Sequence, residues 1–177
     1  HTECSSDKEK RLQKISLGFD TQTFVITPES VDTPKLVNFL QSCFMVHDKL
    51  VGYDIKSSLR ALLSLGISLP GVEHDVLIGA FLINSLRREQ SLGELAGSDL
   101  DIHLDEEQAT EAEVVAVIQE LHKRQATELD KLPSVKKLAH DIEWPVIPVL
   151  AHMEFYGIKL DTQYLGLMST QVEDLIS

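Results

Sequence analysis

The sequence predicts a layered α/β domain, because extended and helical segments alternate over the first half of the chain. Apolar residues make up 43% of its 177 residues and charged residues 25%, a composition ordinary for a globular protein with a packed core. No apolar run reaches the roughly 18–20 residues that a membrane-spanning helix requires. The length predicts one domain with an appendage.

The chain is acidic, with 16 Lys and Arg residues against 28 Asp and Glu residues and a formal charge of −12. This charge argues against a surface that is basic throughout, but it allows local basic clusters at 8–14, 87–88 and 136–137. The two cysteines, Cys4 and Cys43, are too few for a disulfide framework and favour a reducing compartment.

The N-terminal segment is predicted to contain a flexible leader followed by a β-hairpin. Residues 1–14 are polar and are assigned to the leader. Residues 15–19 alternate apolar with small or polar residues, and 23–27 are rich in β-branched and aromatic residues, which indicates two paired strands. Pro28 ends the second strand.

Two helices are predicted on either side of a buried strand. Thr33 and Pro34 are typical of an N-cap followed by the first helical turn. The short apolar run 50–53 predicts the strand. The next helix follows Asp54 and ends at Gly66, where glycine is typical of a helix C-terminus.

The middle of the chain is predicted to hold a buried helix and then an acidic loop. Asp75 is the expected cap of the helix 76–83, which is apolar nearly all round. A short helix is expected at 91–95. Residues 99–113 hold seven carboxylates and no Lys or Arg, which indicates a solvated loop. Helical periodicity follows through 111–125.

The last quarter is predicted to be helical. Ser134 is the expected cap of one helix. The segment 144–148 contains two prolines and indicates a kink or a restart, because proline removes a backbone donor and clashes with the preceding turn. Gly157 ends this helix, and Asp161 or Thr162 caps the final one.

Several kinds of site are disfavoured by spacing. No histidines have the His-x-x-x-His spacing and the cysteines lie 39 positions apart, which argues against zinc. No glycine-rich phosphate loop or Gly-x-Ser-x-Gly motif occurs. Asp99, Asp101, His103 and Asp105 alternate as ligands of a hard cation do. Leu104 stands where a calcium loop needs glycine, so a solvated loop is favoured over a metal site.

Residues 19–23 read Phe-Asp-Thr-Gln-Thr and are similar to the Phe-Asp-Thr-Glu-Thr strand of exonucleases of the Asp-Glu-Asp-Asp type. In those enzymes the strand carries the first metal ligands. Gln22 replaces the glutamate here, and an amide does not supply the charge that a carboxylate gives to Mg²⁺. We interpret the segment as a hairpin turn.

Three further segments resemble the family A DNA polymerases, the bacterial DNA polymerase I group. Residues 50–59, Leu-Val-Gly-Tyr-Asp-Ile-Lys-Ser-Ser-Leu, resemble the second exonuclease motif of that family. Residues 66–75 resemble the segment before its buried helix. Residues 143–161 resemble the start of the polymerase part, where the exonuclease domain runs into the thumb, and are the most specific match. The resemblance covers residues 15–177.

The resemblance implies a ribonuclease H-like exonuclease fold, a mixed sheet flanked by helices, over 15–132. The connecting helix and the start of the polymerase thumb would occupy 133–177. The first motif should lie on a strand before Ile15, inside the sheet. We expect that strand to be absent, because residues 1–14 are polar, although the leader replacing it in some form is an alternative. A chain extended at its N-terminus should then be more stable.

Two of the family's active-site positions, those of the second-motif aspartate and the third-motif tyrosine, carry other residue types here. Ser58 stands at the aspartate of the second motif. Glu107 and Glu111 match the tyrosine and aspartate of the third motif, with Glu113 as a substitute nearby. Taking Asp20 as the first motif leaves only 38 positions to Ser58, too few for the intervening strands and helix. Two-metal phosphodiester hydrolysis requires carboxylates, so we expect no catalytic residue and no bound metal.

The predicted function is therefore that of a fragment of a bacterial-type DNA polymerase I, which acts in DNA replication and repair. Its exonuclease-like domain is expected to be inactive and to serve as a scaffold for the polymerase. The parent nucleotidyltransferase would use Mg²⁺, whereas the fragment needs no cofactor. Its expected partners are the palm, fingers and thumb of the same chain, and DNA bound weakly or not at all. We expect a monomer that binds no membrane, in the bacterial cytoplasm at the nucleoid.

Two other interpretations stay open. The first is a residual metal-dependent exonuclease that uses Asp20, Asp54, Glu111 and Glu113, which predicts divalent-ion binding in the millimolar range. The second is an acidic α/β protein-interaction domain, in which 143–161 has no relation to a polymerase thumb.

Overall fold

The computed structural model describes residues 2–4, 12–19, 21–87, 90–157, 159 and 161–176. Its strands are β1 (Thr2–Cys4), β2 (Leu12–Phe19), β3 (Gln22–Ile26), β4 (Lys49–Gly52) and β5 (Gly71–Asp75). Its helices are α1 (Thr33–Val46), α2 (Ile55–Ser64), α3 (Val76–Ile83), α4 (Leu92–Leu95), α5 (Glu111–Asp130), α6 (Pro133–Leu138), α7 (Trp144–Tyr156) and α8 (Thr162–Ile176). The predicted alternation of strands and helices is confirmed.

The strands of the described residues form two small sheets. One is antiparallel in the order β1-β2-β3, and the other is the parallel pair β4-β5. In the predicted hairpin, Phe19 pairs with Gln22 and Ile15 pairs with Ile26. The α/β class with both kinds of strand pairing is therefore confirmed, although the two kinds lie in separate sheets.

Strand β1 corrects the prediction for the N-terminus. Thr2 pairs with Ile15, Glu3 with Lys14 and Cys4 with Leu12. The flexible leader is thus wrong for 2–4 and 12–14, and a strand does precede Ile15. The apolar pattern did not reveal β1 because this three-residue strand is defined by backbone pairing with β2, which needs no run of apolar side chains.

The ends of α2 and α3 follow their predicted capping residues. Gly66 has a φ of +72°, and its N–H donates to the carbonyl of Leu63 while Ile67 N–H donates to Leu62. These two bonds end α2 in a Schellman motif. Asp75 caps α3 through the backbone N–H groups of 77 and 78. Burial of α3 is confirmed on one face only, since Phe81 on its other face is 51% exposed.

The larger apolar cluster joins α7 to the α/β part of the chain. Trp144, Ile147 and Ala151 of α7 lie in the same core cluster as Ile55 and Leu59 of α2. A second cluster holds side chains of α3, α4 and α5. The sequence boundary expected at residue 133 therefore does not separate two hydrophobic cores.

The interruption expected near the prolines takes the form of a π-helical turn, Ala139–Glu143, between α6 and α7. Trp144 N–H donates to the carbonyl of Ala139 there, which is the five-residue spacing of a π turn. Pro148 remains inside α7. The cap of α6 is Leu132 rather than Ser134, because Pro133 takes the first helical position.

Helix α8 begins at a side-chain cap and exposes its apolar residues. Asp161 Oδ1 accepts from the N–H groups of Gln163 at 3.1 Å and Tyr164 at 3.0 Å, as one of the two predicted alternatives requires. Its Leu165, Leu167 and other large apolar side chains are exposed. Across the described ranges, the structure contains no helix with the length and apolar character needed to cross a membrane.

Candidate functional site

The site is organised around Glu111, the first residue of α5. Thr110 and Glu113 form a capping box there, in which Glu113 Oε2 accepts from Thr110 N at 2.7 Å and from Thr110 Oγ1 at 2.8 Å. Carboxylates in a first turn are also favoured by the helix dipole. This box positions Glu111 and directs the Glu113 carboxylate, a residual metal ligand in one sequence interpretation, to the helix cap.

Side chains of β2 hold both oxygens of Glu111. Lys14 Nζ lies 3.2 Å from Oε1, and Ser16 Oγ donates to Oε2. Lys14 and Ser16 are two positions apart and share one face of the strand. Burial raises the pKa of Glu111, but the hydrogen bonds from Ser16 and Lys14 outweigh burial and hold that pKa below its ordinary value. Glu111 is therefore an ionised, compensated carboxylate.

Sequence reasoning missed β1 as part of this region. The register places Glu3 opposite Lys14 in the antiparallel ladder. Strand β1 reads Thr-Glu-Cys, and this short polar segment gives no apolar pattern from which a strand could be predicted.

Ser58 lies on α2, half-buried, and lines a cavity of about 380 Å³ that Ser16 also lines. Other walls of this cavity are formed by residues 15–19 of β2, by strand β4 and by Val115 and Ile118 of α5. Ser16 connects the cavity to Glu111 through its hydroxyl. The structure therefore places the residues matched to the second and third motifs around one region of the fold.

The other predicted residues lie apart from that cavity. Asp54 precedes α2 with a φ of +47° and, like Glu107, does not line the cavity. Glu107 is exposed in a turn, where its N–H donates to Asp105 Oδ1 at 3.1 Å. Asp20 lies outside the described residues.

The acidic segment is arranged by ion pairing and local turns. Arg87 binds Asp99 through two hydrogen bonds of 2.7 and 3.1 Å. Burial raises the pKa of Asp99, but its bonds to Arg87 bring that pKa below the ordinary value. Among the described residues, no group of three or more His, Cys, Asp and Glu side chains has the arrangement of a metal site.

A buried histidine lies further along α5, toward its C-terminal half. His74 is 4% exposed, and its Nε2 lies 2.7 Å from Gln125 Oε1. Its ring lies 4.8 Å from that of His122 and 5.0 Å from that of Trp144. Burial lowers the pKa of His74 to about 4. Neutral His74 therefore belongs to the packing between β5, α5 and α7.

Comparison with known proteins identifies the family. The family model described as "DNA polymerase I, ribonuclease H-like domain" matches residues 5–109, more than half of the chain. The chain belongs to this family. Membership confirms the resemblance to DNA polymerase I and the ribonuclease H-like fold, and the matched range contains β2 and α2.

DNA polymerase I proteins of several bacteria are similar over nearly the whole chain. The Pseudomonas aeruginosa enzyme is 25% identical over 206 residues, which cover 97% of this chain and 23% of that polymerase. A Helicobacter pylori enzyme is 28% identical over 183 residues, which cover 95% of this chain and 20% of that polymerase. The chain thus spans about a quarter or less of these relatives. A match of this extent includes 143–161, the segment in which the sequence resembles the start of the polymerase part.

A solved structure shows the same fold. The POL domain of Pol1 from M. smegmatis, in complex with DNA primer-template and dNTP, superposes with a TM-score of 0.77. The match covers 93% of this chain and 29% of that chain, at 23% sequence identity. At this identity the likeness shows a shared fold, and activity has to be judged from the residues of the site.

Proposed function

We propose that this chain is the inactive 3′–5′ exonuclease-like domain of a bacterial-type DNA polymerase I, with the start of its thumb. The observation that supports inactivity is the state of two metal-binding positions. Ser58 replaces an aspartate, and Glu111 has both oxygens engaged by Lys14 and Ser16. Hydrolysis by two metals requires anionic ligands that hold the ions about 3.5–4 Å apart.

The divalent ions that the family implies do not fit these residues. The hydroxyl of Ser58 is neutral and lacks the charge that a hard cation prefers in its ligands. Glu113 is engaged in the cap of α5, and its carboxylate is held by Thr110. The domain accordingly needs no cofactor, and Mg²⁺ would belong to the polymerase part of the parent protein.

The scaffold role is supported by the way α7 is attached. Ile147 and Trp144 are buried against α2 and β5. At the surface, Glu154 accepts from Lys56 Nζ at 2.7 Å and from Arg60 Nη1 at 3.0 Å. The helix that leads toward the thumb is thus held on the exonuclease-like domain by a buried face and an ion-pair clamp.

The wider context of the proposal comes from the relatives, which are bacterial polymerases. The parent protein would act in DNA replication and repair in the bacterial cytoplasm. With a charge of −12, this fragment has a field that opposes phosphate, so we assign DNA binding mainly to the palm, fingers and thumb. The fragment would act as a monomer within that chain.

A nuclease assay tests inactivity. The chain is incubated with 3′-labelled single-stranded DNA and Mg²⁺ or Mn²⁺, and released nucleotide is measured. We expect release no greater than in the EDTA control. Metal-dependent release that Glu111→Gln abolishes would instead establish the residual exonuclease, whose candidate carboxylates are Asp20, Asp54, Glu111 and Glu113.

A heat-inactivation assay tests the scaffold role in the parent polymerase. Ile147→Ala removes a buried side chain of α7 and costs about 2–5 kcal/mol of folding free energy. Val149→Ala changes an exposed residue of the same helix and is the matched control. We expect the half-life of primer extension on heating to fall severalfold for Ile147→Ala only. An unchanged half-life despite a destabilised domain would contradict the scaffold role.

A further inference from the structure

The carboxylate of Glu111 is tied to β2 by two contacts of different chemistry. Lys14 supplies a full positive charge at 3.2 Å from Oε1, and Ser16 supplies a hydroxyl proton to Oε2. Ser16 is 3% exposed, and the Glu111 side chain is 16% exposed, so the pair lies at the edge of the core. Partly buried carboxylates are stable only with such compensation.

The ammonium of Lys14 already lies against one of the two carboxylate oxygens of Glu111. A divalent ion such as Mg²⁺ must approach its ligand oxygen to about 2.0–2.1 Å. With Lys14 Nζ already bound to Oε1, an ion at that distance would meet both the volume and the charge of the ammonium. Lys14 also lies opposite Glu3 in the β1–β2 ladder, so the lysine links this sheet to the start of α5, where the residue matched to the third motif lies.

We propose that Lys14 is a tethered cation that replaces the divalent metal at Glu111. The chain thereby keeps a partly buried carboxylate and the local fold around it without binding an ion. This inference rests on the proposed function, because it explains how the geometry of an exonuclease centre persists after its chemistry is lost. It identifies Lys14 as the residue that keeps divalent ions away from this carboxylate.

The test is stabilisation of the chain by Mn²⁺, measured as the melting temperature with about 5 mM Mn²⁺ or with EDTA. The native chain is expected to melt at the same temperature in both. Lys14→Met is expected to melt lower in EDTA and to gain about 3 °C with Mn²⁺, because the vacated carboxylate accepts the ion. Lys14→Arg keeps the positive charge and is expected to show no gain.

Two controls make the response specific. Lys14→Met combined with Glu111→Gln removes the ligand and should abolish the gain. Lys131→Met breaks an exposed ion pair with Glu128, and Mn²⁺ should not raise the melting temperature of this variant. If Lys14→Met does not fold, Lys14→Gln provides the same comparison with a hydrogen-bond donor retained.

Two outcomes would overturn the inference. One is a folded Lys14→Met or Lys14→Gln variant without Mn²⁺ stabilisation. The other is stabilisation of the native chain that Glu111→Gln removes. The nuclease assay separates this inference from the proposed function. Nucleotide release by the native chain contradicts inactivity, whereas a variant without an Mn²⁺ response and without nuclease activity contradicts only the tethered cation.

Discussion

At the scale of single residues, two buried polar side chains connect elements that are distant in sequence. His74 bonds to Gln125, whose Nε2 donates to the carbonyl of Val76 at 3.0 Å. Asp75 accepts from Ile55 N at 2.7 Å as well as from the first turn of α3. Each side chain forms hydrogen bonds with buried polar groups. Burying such a group without a hydrogen-bond partner would cost a large amount of free energy.

The depressed pKa of His74 predicts a loss of stability in acid. The folded chain holds this pKa near 4, whereas an unfolded histidine has its ordinary value of 6.5. Between these values the unfolded state binds more protons, so the unfolding free energy falls as the pH falls. We expect a loss of about 2 kcal/mol between about pH 7.5 and pH 5. Urea unfolding followed by the fluorescence of Trp144 measures it.

A histidine variant tests whether His74 causes the predicted loss of stability in acid. His74→Asn removes the titrating group and should flatten the pH dependence. His122, whose pKa burial also lowers, adds a smaller loss in the same direction. Equal slopes in the native chain and His74→Asn would show that His74 does not carry the acid sensitivity.

Asp75 is predicted to be the more costly of two helix caps. Asp75→Ala leaves three N–H donors without their acceptor, two of them in α3 and one at the start of α2, and should cost about 3 kcal/mol or more. Thr110→Ala removes an exposed cap of α5 and should cost about 1 kcal/mol. Asp75→Asn keeps one acceptor oxygen, and its cost in unfolding free energy should lie between those of Asp75→Ala and Thr110→Ala. Chemical denaturation would measure all three, and equal costs would contradict the role of burial.

At the scale of elements, α3 and α5 approach closely at Gly79. A Cβ at this position would lie 2.3 Å from Gln125 Oε1 and 2.8 Å from His74 Nε2. Both neighbours are held by the buried hydrogen bond between them. The missing side chain of Gly79 therefore provides the space for the polar contact between β5 and α5.

Two glycine substitutions in helices should have opposite effects. Gly79→Ala gains about 1 kcal/mol of helix propensity but forces apart a packed, hydrogen-bonded pair, for a net loss of about 1–3 kcal/mol. Gly166→Ala lies in α8 with no atom within 4 Å of its Cβ and should raise the helicity of α8. Circular dichroism and thermal melting test both. A stabilising Gly79→Ala would show that the pair shifts at little cost.

At the scale of the whole molecule, α7 and α8 differ although both belong to the predicted thumb segment. Helix α7 buries Trp144, Ile147 and Ala151 in the main core. Helix α8 exposes its large apolar residues, including Leu175 and Ile176 at more than four-fifths of their surface. We therefore expect α7 and the exonuclease-like domain to unfold as one unit.

This arrangement predicts different results for two truncations. A chain ending at residue 132 loses burial on the order of 5 kcal/mol, comparable to the whole stability of a domain, and should lack a cooperative melting transition. A chain ending at residue 157 loses only α8 and should melt within a few degrees of the intact chain. Cooperative melting of the shorter chain at the native temperature would place the boundary at 133, as the sequence suggested.

Sequence reasoning located Ser58 and Glu111 through the family motifs, but it did not find the partners that define their state. Lys14 and Glu111 are 97 positions apart, and no local pattern connects them. Strand β1 was missed for a related reason, since it is defined by backbone pairing with β2 and not by a pattern of its own. The site was therefore predicted as a set of positions and not as a set of contacts.

The sequence by itself determined where most elements begin and end. Asp75, Gly66 and Gly157 act on backbone groups within a few residues, so their effects can be read locally. Only the tertiary structure decided that α7 joins the main core and that Lys14 compensates Glu111. Both outcomes depend on contacts between elements that are far apart in the sequence. The free energy of such contacts depends on how much surface they bury, and a local sequence pattern does not contain that information.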